Sequence, residues 1–246
     1  MEKDSPSAQV GNQPAPPLRS ESVPLPDHLK PIPVGRHKLP REVQQEHQRA
    51  RIIEASIPVF AAEGYPATTV DDLVAAAGVG VGSFYAHFEG KEGCLLAACE
   101  LIYLEIENSF REDASKGTGW AEKVAFGLYG LLRWLADDPI RAKVGLLEAQ
   151  TAGPAAVDLF SGAQARVAAL LRAGRDAGSS PRQLPETLEP TIVNAVSWLL
   201  QQRLAGGEVA SAPGVFADVC ELVLEPYVGE KTARSLAAQA LAATGD

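Results

Sequence analysis

Hydrogen-bonding side chains surround a short turn in the first third of the chain. Within the stretch AAAGVGVGSFYAHF, Ser83, Tyr85 and His87 face away from the side of a short helix that Phe84 and Phe88 would bury. Hydroxyl, phenol and imidazole groups in such an outward position can hydrogen-bond phosphate oxygens and the edges of bases. The pattern is typical of a helix that lies in a groove of DNA.

The residues before this helix predict a first helix and a tight turn that would position it. Thr69 stands three residues before Asp72, which is the spacing of a capping box at a helix N-terminus. An apolar stripe at helical spacing follows the cap, formed by Val70, Leu73, Val74 and Ala77. Gly78 can adopt the left-handed conformation that ends a helix. Val79 is predicted to fill the angle between the two helices.

These motifs, taken in order, make residues 45–105 resemble the TetR family of bacterial transcription regulators. The matching elements are Ile52-Ile53, Phe60-Ala61, Gly64-Tyr65, Thr68-Thr69-Val70, Ala77-Gly78-Val79, Gly82-Ser83-Phe84-Tyr85, His87-Phe88 and Lys91. The resemblance implies an all-α protein, in which a three-helix helix-turn-helix DNA-binding domain precedes a helical domain for ligand binding and dimerisation.

The resemblance also assigns roles to individual positions. The family's phosphate contacts fall on Thr68, Ser83, His87 and Lys91. Its base-facing positions fall on Thr69, Val70, Val81, Gly82 and Tyr85. Three of these residues have structural alternatives, since Tyr85 would also fit the rim of the core, His87 a helix end and Lys91 a solvated helix start.

The predicted recognition helix departs from the family in its chemistry. Residues 80–82 are Gly-Val-Gly, and the helix lacks the Arg, Lys, Asn or Gln that bidentate base readout requires. Val81 can contact a thymine methyl group, and Tyr85 and Thr69 can hydrogen-bond. We therefore expect specificity to depend on thymine contacts, DNA shape and a basic arm.

That arm is the N-terminal segment of residues 1–40, which holds half of the 18 prolines and shows no hydrophobic period. The net charge of the chain is -9, yet residues 28–51 carry six Lys or Arg against two Glu, a local excess of four positive charges. Arg36, Lys38 and Arg41 are predicted to reach the DNA backbone or a minor groove. The alternative is an inert, disordered spacer.

Composition limits the remaining possibilities. The chain has 246 residues, of which 46% are hydrophobic and 6% aromatic, and no run is long enough to span a membrane. The sequence predicts a cytoplasmic protein without a secretory signal. Cys94, Cys99 and Cys220 fit neither a disulfide framework nor a metal site, and are interpreted as buried residues, with oxidant sensing by Cys94 and Cys99 as the alternative. Scattered histidines and the lack of a phosphate loop argue against an enzyme, a metal or a cofactor.

The resemblance divides the chain into the arm at residues 1–40, a helix-turn-helix DNA-binding domain at 41–92 and a helical effector-binding and dimerisation body at 93–246. The predicted helices cover 42–62, with a kink near Pro58, then 91–111, 120–136, 138–153, 154–177, 190–204, 211–225 and 230–243. Pro226 is expected to end the penultimate helix, which Ser211 would cap.

The body is expected to hold an effector and a subunit interface. Aromatic residues that would line a cavity, or equally fill the core, are Trp120, Phe126, Tyr129, Trp134, Phe160 and Trp198. The resemblance implies that the last two long helices pair across a twofold axis. Residues expected at the core or the interface are Val196, Trp198, Leu199, Val219, Leu222 and Val223.

The resulting hypothesis is a homodimeric repressor that binds a palindromic operator and is released by a small apolar effector. The alternative is a helical sensor or carrier of small molecules with a degenerate DNA-binding head. The uncharged segment at residues 80–82 is the feature that keeps this alternative open.

Overall fold

The computed structural model describes residues 40–177, 184–208 and 212–244, which are helical and contain no strand. Arg36 and Lys38 lie outside these ranges. The helices are α1 (Arg41–Glu63), α2 (Val70–Ala77), α3 (Val81–Tyr85), α4 (Lys91–Ala114), α5 (Trp120–Asp137), α6 (Pro139–Leu146), α7 (Pro154–Arg172), α8 (Gly174–Ala177), α9 (Leu188–Ala205), α10 (Ala212–Val228) and α11 (Glu230–Thr244). A 3-10 turn covers Glu148–Thr151. Within the described ranges, no helix has both the length and the apolar character needed to cross a bilayer.

The three N-terminal helices, called the head below, are organised around the inner face of α1. Ile52, Ile57 and Phe60 are at most 2% exposed on that face. Burial of each such side chain stabilises the fold by roughly 1.5–3 kcal/mol. Pro58 lies inside the helix, which continues past it to Glu63. Gly64 then takes a φ of 77°, which turns the chain away.

Helix α4 joins the head to the remaining helices, called the body. Its residues Cys94, Leu95, Cys99 and Ile102 are fully buried. They belong to a hydrophobic cluster that includes residues of α1, α2 and α3, and also residues of α6 and α7. Packing is therefore continuous across residues 92 and 93, and movement of the body can be transmitted to the head.

Two glycines allow α5 to lie close to α4. A Cβ atom at Gly127 would lie 2.5 Å from the ring of Phe110, and one at Gly130 would lie 2.4 Å from the Asp113 carboxylate. The Ser109 hydroxyl also donates a hydrogen bond to the Gly130 carbonyl oxygen over 2.9 Å. Larger side chains at these two positions would push the helices apart.

A buried carboxylate ties α8, α9 and α10 together. Glu189 is fully buried at the start of α9 and accepts a hydrogen bond of 2.7 Å from the Arg175 guanidinium. The Tyr227 hydroxyl donates to the same carboxylate over 3.0 Å. These hydrogen bonds, with Arg175 first, lower the pKa of Glu189 although burial opposes the shift.

Several predicted helix ends differ from the observed ones. Helix α6 ends at Leu146, and the chain reaches Gly153 through the 3-10 turn. The predicted helix 154–177 is divided into α7 and α8. Pro226 lies inside α10 and does not end it. The buried ring of Tyr227, which follows, packs on Trp120 with centroids 5.0 Å apart, so tertiary contacts extend the helix past the proline. Ser211 lies outside the described residues.

The residues expected at the core or interface separate into three groups. Val219 and Val223 of α10 are buried within the chain. Val196 and Leu199 are half-buried. Trp198 and Leu222 are 62% and 45% exposed. Helix α10 therefore uses its apolar face inside the protomer.

The three cysteines are fully buried and unpaired. Burial raises the pKa of the Cys94 thiol to about 11 and that of the Cys99 thiol to about 12. Burial also raises the pKa of Cys220 to about 12. Since oxidants react with thiolates, these groups are poorly suited to sensing them.

Candidate nucleic-acid interface

The turn between α2 and α3 is built by the predicted residues. The Asp72 N–H donates to the Thr69 hydroxyl oxygen over 3.3 Å, and the Thr69 N–H donates to the Asp72 carboxylate over 2.9 Å. Both predicted halves of the capping box are thus present. The Thr69 hydroxyl and N–H also lower the pKa of the Asp72 carboxyl. Gly78 has a φ of 60° and ψ of 42°, the left-handed conformation that the sequence predicted.

Helix α1 stabilises this turn through a residue that the sequence analysis did not select. The Arg51 guanidinium donates a hydrogen bond of 3.2 Å to the Gly78 carbonyl oxygen. That oxygen belongs to the left-handed residue that ends α2, so the bond fixes the angle at which α3 leaves the turn. Arg51 lies 27 residues before Gly78, so no local sequence pattern predicts that it binds the turn.

Helix α3 buries one side and exposes the other. Phe84 is fully buried and Phe88 is 6% exposed, with their rings 5.5 Å apart. Val81 and Tyr85 are 46% and 54% exposed. They are four residues apart and therefore lie on the same face of the helix. We call this exposed face, with Gly80 and Gly82, the α3 face.

Gly80 and Gly82 add no side chains to the α3 face. No atom lies within 4 Å of the position that a Cβ would take at Gly80 or Gly82. A flat surface between Val81 and Tyr85 lets the backbone approach a partner closely, because no side chain stands in the way. Ser83 is half-buried, beside this surface.

His87 lies at the boundary between α3 and α1. Its Nε2 atom is 3.2 Å from the Gln48 side-chain oxygen. Burial, and secondarily the Arg49 charge, lowers the pKa of His87, which favours the neutral ring at neutral pH. The Arg49 guanidinium lies 5.4 Å from the centre of the Phe88 ring. The sequence analysis missed Gln48 and Arg49, since nothing local indicates which side of α1 meets α3.

The Lys91 side chain binds backbone carbonyl oxygens of the loop that precedes α2. Its ammonium group donates to the carbonyl oxygens of Tyr65, Pro66 and Thr68 over 2.8, 3.1 and 2.8 Å. It also lies 4.5 Å from the centre of the Tyr65 ring. A positive charge at a helix N-terminus is unfavourable by itself. The three carbonyl oxygens offset that cost and order the loop before α2.

Thr68 is the predicted contact that the structure removes from the surface. The residue is 1% exposed, and its hydroxyl donates over 2.8 Å to the Gly64 carbonyl oxygen. A hydroxyl used in this way is not available to a phosphate. Thr69 is exposed, Val70 is half-buried against the head core, and Arg41 is exposed at the first position of α1.

A cavity of about 140 Å³ lies in the body, between α4, α5, α6, α7, α9 and α10. Of the six aromatic residues that would line a cavity or fill the core, Phe160 lines it. Tyr129 is buried against Phe216, with ring centroids 5.4 Å apart. Phe126 and Trp134 pack against the body core, and Trp198 is on the surface. Core packing, the alternative that the sequence left open, therefore describes Tyr129, Phe126 and Trp134, and also Trp120, which packs on Tyr227.

The cavity wall is mainly aliphatic. Helix α5 contributes Val124, Leu128, Leu131, Leu132 and Leu135. Tyr129 lies on the same helix, but its ring points to α10. Leucines at helical spacing look the same in sequence whether they face a cavity or a packed neighbour, so the sequence offered no signal for them.

The described helices thus form a helix-turn-helix head on a helical body with an internal apolar cavity. Residues 52–98 match the model of the bacterial regulatory proteins of the tetR family. The chain is 45% identical over 53 residues to the HTH-type transcriptional regulator YerO of Bacillus subtilis, covering 22% of this chain and 18% of that protein. It is 48% identical over 70 residues to the transcriptional repressor DhaR of a Mycobacterium species, covering 27% and 35% respectively.

The fold extends beyond the head. The structure of FadR from Bacillus subtilis, in complex with stearoyl-CoA, aligns with a TM-score of 0.62 at 22% identity, over 72% of this chain and 98% of FadR. The matches to YerO and DhaR span well under half of those relatives' lengths. Residues 52–98 therefore match the tetR family, and the fold of the chain as a whole is similar to that of FadR.

Proposed function

We propose that this protein is a transcriptional repressor that binds a palindromic operator as a homodimer in the cytoplasm and leaves it when a small apolar effector enters the body. The α3 face carries this proposal. Val81 and Tyr85 are large apolar side chains left about half exposed on a short helix whose other side is fully packed. A surface of this shape fits the major groove, where Val81 can contact a thymine methyl group and the Tyr85 hydroxyl a base or phosphate.

The charge near the α3 face also supports binding to DNA. Arg41 and Arg49 are exposed on α1, and the Arg51 guanidinium is bound to the turn. Ser83 and His87 remain proposed phosphate contacts at its edge, while Lys91 would act mainly by ordering the loop. The net charge of -9 is a property of the whole chain. Charges of the body beyond about 8 Å are screened at physiological salt.

Helix α9 provides the proposed dimer interface. No charged residue occurs between Glu189 and Arg203, and Trp198 is 62% exposed at the centre of its outer side. Helix α7 packs beside it, since the Gln164 side chain donates to the Ser197 hydroxyl over 3.0 Å. On α10, by contrast, the exposed residues Asp218 and Glu225 would repel their copies in a partner. We therefore assign the interface to the outer side of α9, around Trp198, and not to α10.

A twofold dimer of this kind would place two α3 faces on neighbouring turns of one groove, with centres about 34 Å apart. Trp198→Glu should convert the dimer to a monomer, because it would bury two like charges at the axis. Sedimentation velocity measures this directly. The matched control is Leu222→Glu on α10, which should leave the dimer intact; the opposite result would move the interface to α10.

Helix α6 connects the cavity to the head, and supports release by an effector. Leu146 at its end lines the cavity. Its Lys143 ammonium donates a hydrogen bond to the Ala61 carbonyl oxygen near the end of α1. Just after it, the Glu148 carboxylate accepts a hydrogen bond of 2.9 Å from the Tyr65 N–H. An effector that displaces Leu146 would therefore also displace the end of α1 and the loop that leads to α2.

An ion-pair cluster links α6 to two further helices. The Arg141 guanidinium bonds to Glu54 of α1 and lies 3.3 Å from the Glu105 carboxylate of α4. It also lies 3.1 Å from Asp138, which caps α6. Burial raises the pKa of Glu105, and Arg141 opposes that rise. The three carboxylates hold α6 against the two helices that position the head.

The test is retention of DNA selected from random duplexes, measured at several salt concentrations. Binding should depend on sequence, and log K should fall with log salt in proportion to the phosphates contacted. The double variant Val81→Ala, Tyr85→Ala should lose binding. Leu104→Ala is the matched control, since Leu104 is 57% exposed on α4, outside the α3 face.

Affinity that is indifferent to sequence and to salt would contradict the proposal. A protein that binds apolar ligands but retains no duplex would instead be the carrier that the uncharged α3 face also allows.

A further inference from the structure

The cavity wall carries four polar side chains among its apolar ones: Tyr103, Glu107, Gln164 and Ser197. Each of them already has a partner within the protein. The Tyr103 hydroxyl donates to the Gly145 carbonyl oxygen over 2.8 Å. The charge on the wall is therefore confined to Glu107.

Glu107 is neutralised from outside the cavity. Its carboxylate accepts a hydrogen bond of 2.8 Å from the Arg166 guanidinium of α7, and Arg111 lies 4.0 Å away. A charged ligand group would have to break this pair or be buried without a counter-ion. Both alternatives are unfavourable, the first only modestly because Arg166 is 55% and Glu107 33% exposed, the second because the rest of the wall is hydrocarbon.

The remaining polar pair lies where the cavity opens. The Gln164 amide nitrogen donates to the Ser197 hydroxyl oxygen over 3.0 Å and to the Asn194 side-chain oxygen over 3.3 Å. Both bonds use the amide nitrogen, so the Gln164 carbonyl oxygen can accept a bond and the Ser197 hydroxyl hydrogen can be donated. Val167 and Leu170 also line the cavity, yet are 40% and 43% exposed, which places the opening along α7.

The size of the cavity limits what fits without movement. A cavity of roughly 150 Å³ with an aliphatic lining holds a molecule of the size of benzene and stays dry when empty. At about 140 Å³ this cavity accepts a comparable hydrocarbon group. A longer chain must extend through the opening or push the walls apart, and Leu146 of α6 is part of those walls.

We infer that the effector is an uncharged amphiphile, with a hydrocarbon part in the cavity and one hydroxyl, ester or ketone group at the Gln164–Ser197 pair. Only the regulatory role of the ligand in this inference rests on the proposed function, since binding of the ligand to the cavity does not require DNA. Carboxylates and amines of the same hydrocarbon are expected to bind more weakly, because Glu107 is already paired with Arg166 and the described wall offers no further counter-ion.

The test compares 1-octanol, octanoate and octylamine, which differ in the head group alone. Titrations with the full-length protein without DNA, followed by calorimetry and by thermal stabilisation, give the three affinities. We expect octanol to bind at least tenfold more tightly than either charged probe. Octanoate or octylamine binding as tightly as octanol would overturn the inference, and so would the failure of all three to bind.

Two variants locate the head group. Ser197→Ala and Gln164→Met should each weaken octanol binding by about two- to tenfold, the range of one neutral hydrogen bond. Ser161→Ala, on the exposed side of the same helix α7, is the control and should change nothing. An unchanged octanol affinity in both cavity variants, with circular dichroism showing an intact fold, would place the head group elsewhere.

DNA retention is measured separately, with and without octanol. If octanol binds with the expected selectivity while DNA stays bound, the inference about ligand chemistry stands and release by this effector fails. If the protein retains its operator and binds none of the probes, the inference about ligand chemistry fails and the proposed DNA binding stands.

Discussion

The head and the body form their functional surfaces in opposite ways. In the head, the turn is fixed mainly by bonds between residues that are close in sequence, such as Thr69 with Asp72, with a distant contribution from the Arg51 bond to Gly78. In the body, the cavity is enclosed by helices from α4 to α10, and part of its wall lacks packing partners. The comparison indicates that the head moves as a rigid unit, whereas the body can change shape where contacts are missing.

The largest expected effect tests how sharply α3 is divided into a packed and an exposed side. Phe84→Ala should destabilise the protein by about 3–5 kcal/mol, because it opens a cavity in the head core. Tyr85→Ala, one residue further on, should cost about 0.5 kcal/mol or less and still abolish operator binding. Urea unfolding and DNA retention measure the two effects. Equal destabilisation by both variants would mean that Tyr85 belongs to the core.

The second-largest effect is expected at helix α6, which connects the cavity of the body to the head. Lys143→Met removes the hydrogen bond from α6 to the Ala61 carbonyl oxygen. Couplings between two sites are typically about 5- to 150-fold, and we expect the variant to bring the effect of octanol on operator affinity towards one. Operator affinity without octanol should change little.

Lys123→Met serves as the control, because it removes the same charge from the exposed side of α5. An octanol response that is the same in both variants would exclude α6 as the route of coupling.

The capping box predicts a smaller effect that is confined to the head. Thr69→Ala should cost about 1 kcal/mol, since the Asp72 N–H loses its acceptor. Hydrogen exchange should increase in α2 and remain unchanged in α9. Faster exchange throughout the body would show that the two regions unfold as one cooperative unit.

The smallest expected effect is the loss of folding stability at acidic pH, which should differ between a carboxylate of the head and one of the body. The folded-state pKa is lowered for Asp72 in the head by Thr69, and for Glu189 in the body by Arg175. Each carboxylate therefore stabilises the protein at neutral pH, and this contribution is lost as pH falls below the ordinary values of 3.8 and 4.5 towards the lowered ones. Glu189 should begin to contribute to the loss at a higher pH than Asp72.

Urea midpoints measured from about pH 7 to about pH 3 test this order. Glu189→Gln and Asp72→Asn should each flatten the acid limb of the stability profile. A profile that stays unchanged in Glu189→Gln would show that the buried ion pair does not depend on the carboxylate charge.

Sequence reasoning succeeded where the determinants are local. The capping box, the left-handed Gly78 and the buried Phe84 follow from spacings of a few residues, and the structure confirms them. It failed where neighbours come from distant helices. Lys91 of α4 binds the carbonyl oxygen of the buried Thr68, and α10 continues past Pro226 because Tyr227 packs on Trp120 of α5.

The sequence by itself determined the helical class, the turn and the residues of the α3 face, because helix periodicity and caps act over one or two turns of chain. Only the tertiary structure decided which leucines surround a cavity, which aromatic residues fill the core and which helix leaves an uncharged face exposed. Those outcomes depend on the angle at which each helix meets its neighbours, and that angle is set by contacts between residues far apart in the chain.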